Sequence, residues 1–256
     1  MMTEVRKVLT EERYQLILSI LDERKAVTVA QLSKQLSISE STIRRDLNTL
    51  AEMGKLNKVF GGATALSHSS GVFETGVANR ASAMSAEKTA IAKYAATLIH
   101  DDDFVYIDAG TTTLRLIDFI TNKKATYVTN GIIHAQHLIQ RNFNAYVIGG
   151  KIKPLTEAVV GASGIKSLSG LNFTKAFMGT NGIDTTAGFS TPDIDEARIK
   201  ETAVQNSYMT FVVADHSKFS KVCAVTFAPL RVGCIITDEC PDNRYSERTI
   251  VKEVKL

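Results

Sequence analysis

The 256-residue chain contains no tryptophan, only four prolines and only three cysteines. So few prolines, with no long polar tract, argue against extended disorder. Cys223, Cys234 and Cys240 show no metal-ligand spacing. An odd number of cysteines, without a signal-type apolar core at the N-terminus, fits a reducing cytoplasm better than a disulfide scaffold. No run approaches the roughly 18 apolar residues of a membrane helix, so no membrane partner is expected. One-sided charge is lacking too. Lys and Arg number 30 against 27 Asp and Glu, a net charge of +3, so any cationic surface for nucleic acid must be local. Neither a Walker loop nor a G-x-G-x-x-G fingerprint occurs. What is present is a hydrophobic content of 44%, ample for a core, in a length that suits one large domain or a small domain joined to a larger one.

The most informative stretch is Ser39–Met53. At about 100° per residue, Ile43, Leu47 and Leu50 share one narrow stripe, the core face of a short helix. Ser41, Arg45 and Asn48 lie opposite, flanked by Thr42 and Arg44, and such groups bond to phosphates or base edges. Ser39 is the expected N-cap, with Glu40 in the first turn. Upstream, Tyr14, Ile17, Leu18 and Leu21 mark a first helix over Glu11–Arg24. Thr28 caps a second, with Val29, Leu32 and Leu36 on one face, and Ser37-Ile38-Ser39 connects it tightly to the third. That is helix-turn-helix anatomy. After Gly54, Lys55–Phe60 alternates polar and apolar residues and turns at Gly61-Gly62, the pattern of a two-stranded wing. Lys55 and Lys58 would meet phosphates from that wing. Asp46, beside the apolar stripe, would repel phosphate and is expected to be structural.

The series Thr42–Leu47, Leu50, Gly54 and Phe60–Ala63 resembles the DNA-binding domain of the DeoR family of bacterial transcription regulators. Phe60 stands where that family usually has an imidazole. The resemblance implies a DNA-binding set of Ser41, Thr42, Arg44, Arg45, Asn48, Lys55, Lys58, Gly61 and Gly62. The expected boundaries are a winged helix-turn-helix over 1–63, a connector over 64–85 and a larger domain over 86–256. Within the connector, Val72-Phe73-Glu74 and Arg80 are candidates for docking onto a neighbouring domain.

Beyond Glu87, strands alternate with helices. Strands are expected at Phe104–Ile107, Ala125–Val128, Ala145–Ile148, Lys175–Met178, Met209–Ala214 and Gly233–Thr237. Helices are expected at Glu87–Ile99, Leu114–Ile120, Ile132–Gln140 and Glu196–Asn206. This is an α/β fold with a mostly parallel sheet, in which ligands sit at the carboxyl ends of strands. Asp108–Thr113 combines a strand-end carboxylate, the permissive Gly110 and three hydroxyls opening a helix, a setting that favours an anion. Thr129, Asn130, Asn181 and the segment Asp215–Lys218 repeat the theme, with Lys218 able to offer a point charge to phosphate. A phosphorylated sugar or polyol is the natural ligand. His134 and His137 have no carboxylate at ligand spacing, so neither a metal nor a cofactor is expected.

This half resembles the DeoR-family sensor domain, through Asp108–Thr112, Val128–Asn130, Gly149-Gly150, Gly188–Asp193, Glu196-Ala197 and Ala214–Phe219. That domain is related in fold to ribose-5-phosphate isomerase. The resemblance implies that Asp108, Thr111, Thr112, Thr113 and Lys218 line an effector pocket. Aligned with the isomerase, Asn181 replaces a carboxylate and Lys200 stands at the position of the base, which leaves binding groups without a proton shuttle. The chain is therefore expected to be a cytoplasmic, homo-oligomeric repressor without catalytic residues. It would bind double-stranded operator DNA and respond to a sugar phosphate. Thr180–Asp184 and Ser190–Asp193 look most like members that control fructose or related sugars, which makes fructose 1-phosphate the leading effector. The alternative is a sugar-phosphate isomerase carrying a DNA-binding module.

Overall fold

The computed structural model describes residues 10–65 and 83–255, and the chain divides into two compact units, Met1–Ser70 and Gly71–Leu256. The connector segments around Val72-Phe73-Glu74 and Arg80 lie outside the described residues. In the first unit, α1 (Thr10–Arg24), β1 (Ala26–Thr28), α2 (Val29–Leu36), α3 (Glu40–Glu52), β2 (Leu56–Val59) and β3 (Gly62–Ala65) follow one another. Ile17, Leu21, Val27, Leu32, Ile43, Leu47, Leu50 and Leu56 form one buried cluster, so the periodicity read from the sequence is the packing that occurs. Thr28 closes a capping box with Gln31, and Ser39 caps α3 by accepting the Thr42 amide. Asp46 is buried in the cluster, where Arg13 of α1 reaches it through two nitrogens, at 2.6 and 2.9 Å. The wing holds a strand that periodicity did not reveal. β1 pairs with β3, which pairs with β2, all antiparallel.

In the second unit, α4 (Ser85–Ala96) precedes β4 (Phe104–Ile107), α5 (Thr111–Phe119), β5 (Thr126–Thr129), α6 (Ile132–Gln140) and β6 (Asn144–Val147). Next come the hairpin β7 (Lys151–Lys153) and β8 (Ala158–Val160), α7 (Ala162–Leu168), β9 (Phe173–Met178), β10 (Gly182–Asp184) and β11 (Gly188–Thr191). The chain ends through α8 (Ile194–Gln205), β12 (Ser207–Val213), β13 (Val225–Ala228), β14 (Cys234–Thr237), α9 (Asn243–Ser246) and β15 (Val251–Glu253). Seven strands form one sheet, in the order β15-β14-β12-β9-β4-β5-β6, with every pairing parallel.

Side chains alternate across this sheet. Val105, Ile107, Tyr127, Phe211 and Val213 pack with residues of α4, α5 and α6. Tyr106, Val128, Val212 and Ala214 pack with α7, α8 and a small antiparallel sheet, β10-β11-β13. Both faces are covered, which is why Phe104–Ile107, Ala176–Met178 and Phe211–Ala214 read as unbroken apolar runs. The strands and helices anticipated above are all found, within a few residues at their ends. α5 begins at Thr111 rather than Leu114, so the three threonines are its first turn. Strand order reverses between β4 and β9, the topological switch point at which ligands of such sheets bind.

The wing turn sets a sharp requirement. A Cβ built on Gly62 would lie 2.2 Å from the Val27 carbonyl oxygen, because β3 carries Gly62 opposite Thr28 of β1. Gly62→Ala should destabilise the first unit by about 1–3 kcal/mol. Hydrogen exchange read by mass spectrometry should show faster exchange at β1 and β3, with β4 and β9 unchanged.

Candidate functional site

On the first unit, Ser41, Arg44, Arg45 and Asn48 are exposed on α3, Thr42 is half-buried, and Lys55, Lys58 and Gly61 are exposed on and around the wing. Gly62 is buried, so its place in the set is to let the wing close against β1. Arg44 pairs with Glu40 one turn away at 2.7 Å, whereas the Arg45 side chain has no ion-pair partner among the described residues. Ser39 Oγ lies 3.0 Å from Ser41 Oγ and 2.9 Å from Thr42 Oγ1, which clusters hydroxyls at the positive end of α3. Cationic, amide and hydroxyl groups thus share one solvent-facing surface, the equipment for phosphates and base edges.

On the second unit, Asp108 ends β4 beside the switch point. Its Oδ2 accepts the Gly179 amide at 2.9 Å, from the loop after β9, and bonds the Lys200 ammonium of α8. Lys200 also donates to the Gly179 carbonyl at 3.1 Å. The pair is withdrawn from solvent, with 1% of the Asp108 side chain and 6% of the Lys200 side chain exposed. Burial pushes the Asp108 carboxyl above its usual range, against the opposing pull of Lys200 and with a further upward push from Glu196. Its other oxygen, Oδ1, is buried without a hydrogen-bond partner among the described residues. Glu196 lies one turn before Lys200 and ties down the hairpin. It accepts from Thr156 Oγ1 at 2.6 Å and sits 3.5 Å from Lys153, which also reaches Asp193 at 3.1 Å.

Beside this network a cleft of roughly 320 Å³, a figure that includes open solvent, is lined by Ala109, Gly110, Thr111, Leu114, Ile133, His134, Thr156 and Glu157. No side chain caps the N-terminus of α5, so the first-turn amides are placed to bind an anion. Of the residues expected at the ligand, Gly110 and Thr111 line this cleft, while Asp108, Thr112, Thr113, Thr129, Asn130 and Lys200 are buried. Thr113 donates to the Asp108 carbonyl at 2.6 Å. Thr129 accepts the Gly131 amide at 3.0 Å, and Asn130 accepts the Ala109 amide at 2.8 Å. These side chains brace the loops rather than face the cleft. Asn181 accepts from Thr191 at 3.1 Å. Lys218 lies half-buried in the short turn His216–Lys218, whose imidazole is pinned to Asp238 at 2.5 Å; neither Asn181 nor Lys218 lines the cleft.

Three cleft features escaped the sequence reading. His134 is buried against α5, with Nε2 at 3.0 Å from the Gly110 carbonyl and 3.2 Å from Thr113 Oγ1. Thr156 and Glu157 arrive on the hairpin turn, which no periodic signal announces. Among the described residues no group of three or more His, Cys, Asp or Glu side chains is placed to hold a metal ion, and no helix is long and apolar enough to cross a membrane.

A winged helix-turn-helix and a parallel α/β domain with a strand-end cleft, on one chain, define a ligand-responsive transcription regulator. Residues 13–69 match the DeoR-like helix-turn-helix domain, and residues 83–239 match the DeoR C-terminal sensor domain. The chain is 40% identical to the uncharacterized HTH-type transcriptional regulator FruR of Bacillus subtilis (strain 168), across 97% of this chain and 100% of that one. It is 32% identical to a lactose phosphotransferase system repressor of Staphylococcus epidermidis, across 89% and 91% of the two chains. Among solved structures, ribose 5-phosphate isomerase A of Methanocaldococcus jannaschii is similar over 52% of this chain and 54% of that one. Its TM-score is 0.40 and its identity 15%, a likeness that says nothing about chemistry. The protein belongs to the DeoR family of transcriptional regulators.

Burial gives His134 a measurable signature. Desolvation lowers its pKa from 6.5 to about 4, opposed by the Gly110 hydrogen bond. Below pH 6.5 the unfolded chain takes up a proton that the folded chain refuses until about pH 4. Stability is therefore full above pH 6.5 and should fall by up to about 3 kcal/mol as the pH drops to 4. Urea unfolding across this range should show that slope, and His134→Gln should flatten it.

Proposed function

We propose that the protein represses a sugar-utilisation operon and that a phosphorylated sugar, bound at the strand-end cleft, releases it from DNA. Arg45 is the base-reading or phosphate-clamping arginine of α3. Ser41, Thr42 and Asn48 fix register, and Lys55 and Lys58 hold phosphates from the wing. One short recognition helix reads too few base pairs for genomic selectivity, so the active form is a homo-oligomer on operator DNA in the cytoplasm. The observation that carries the effector reading is the uncapped N-terminus of α5 opening into the cleft. A phosphate would accept the first-turn amides of α5, with the Thr111 hydroxyl beside them, and Thr156 would meet the sugar from the hairpin. Ligand binding then shifts the population away from arrangements that match operator spacing.

Binding is favoured over isomerisation because the Asp108 carboxylate is engaged by Lys200 instead of standing free as a base. The effector proposed first is fructose 1-phosphate. The test uses duplexes selected from a random library by the full chain. Arg45→Ala should weaken their binding about tenfold or more, the loss of one bidentate contact, while thermal shifts induced by sugar phosphates persist. A panel of fructose 1-phosphate and hexose 6-phosphates should release the unsubstituted protein with at least one compound. Indifference to all of them would overturn the effector reading, and undiminished binding by Arg45→Ala would overturn the DNA surface.

A further inference from the structure

The tip of the wing carries a feature that neither the fold nor the effector site uses. Phe60 is fully exposed, at 109% of the reference accessibility, and Val59 beside it is 46% exposed. β2 buries only Leu56, so Asn57, Lys58, Val59 and Phe60 all stand toward solvent. An exposed aromatic on a mobile loop would fold back onto the nearest apolar surface, because burial of its ring is favourable. Phe60 is denied that collapse. The turn is only Phe60-Gly61, closed by the pairing of Val59 with Gly62. The Gly61 carbonyl accepts the Val29 amide at 2.9 Å, and Gly62 is pressed against the Val27 carbonyl. The ring is thus held outward on a rigid ribbon.

We propose that Phe60 is a groove wedge. It enters the minor groove next to the major-groove site of α3 and packs its ring against a partly unstacked base step. The inference rests on the DNA-binding reading above and deepens it. Charge complementarity selects duplex DNA as the occupant, since Lys58, two residues before the ring, and Lys55, at the start of the same ribbon, are exposed cations that would meet the phosphates. Apolar side chains inserted from the minor groove kink DNA at flexible steps, so the wedge adds a preference for pyrimidine–purine steps at one flank of the operator.

The experiment uses the full chain and the selected duplexes, with 2-aminopurine placed in turn at each flanking step. Phe60→Ala should weaken binding at least about fivefold, the scale of one lost aromatic stack. It should abolish a 2-aminopurine fluorescence rise at one step and leave the slope of affinity against salt unchanged. Phe60→Leu should keep most of the affinity, and Lys58→Ala should lower the salt slope. Unchanged affinity of Phe60→Ala, no fluorescence rise with the unsubstituted protein, or a changed sedimentation coefficient in place of changed affinity would each overturn the wedge. If Arg45→Ala loses binding while Phe60→Ala keeps it, the wedge alone is refuted; if both bind undiminished, the DNA surface falls with it.

Discussion

The buried Asp108–Lys200 pair is the constraint around which the sensor half is arranged. Two opposite charges inside a protein are tolerable only together, and removing one partner typically costs about 3–5 kcal/mol because the other stays desolvated. The pair spans the place where strand order reverses, so it joins β4, the loop after β9 and α8. Glu196, one turn from Lys200, extends the same network to Thr156 and Lys153 on the β7–β8 hairpin. The network reaches the adjacent cleft through Thr156, which lines it and donates to Glu196. Asp108 Oδ1, buried without a hydrogen-bond partner among the described residues, leaves the network short of full satisfaction.

The DNA-binding half works by segregation. Its apolar stripe, Ile43, Leu47 and Leu50, packs into one buried cluster with residues of α1, α2 and β2, and Asp46 on that side is engaged by Arg13. With Asp46 withdrawn, the exposed carboxylates of α3 are the two at its ends, Glu40, which is paired with Arg44, and Glu52 in the last turn. Arg45, which has no ion-pair partner among the described residues, stands among hydroxyls and an amide. A protein with a net charge of only +3 can therefore present a locally cationic surface, as a duplex partner requires.

Much of this was legible in the residue order. The helical repeat of Ile17, Leu21, Ile43, Leu47 and Leu50, the caps Thr28 and Ser39, and the largely apolar stretches of β4, β5, β9 and β12 each report a local geometry. Local geometry is written in periodicity. The three-residue strands β1, β7, β8 and β10 are too short to carry a period, and no signal in the residue order marks them. The same limit hid Thr156 and Glu157, which reach the cleft only because the hairpin folds over the ends of β4 and β5.

The sequence by itself determined a helix-turn-helix half and an α/β half, the longer elements of each and the outward face of α3, since each depends on neighbours within a few residues. Only the tertiary structure decided which polar groups face solvent and which consume one another. Lys200 meets Asp108 across 92 positions, His134 meets Gly110 across 24 and Arg13 meets Asp46 across 33. No short-range pattern encodes those meetings, because they are fixed by how the layers pack rather than by what stands next in the chain.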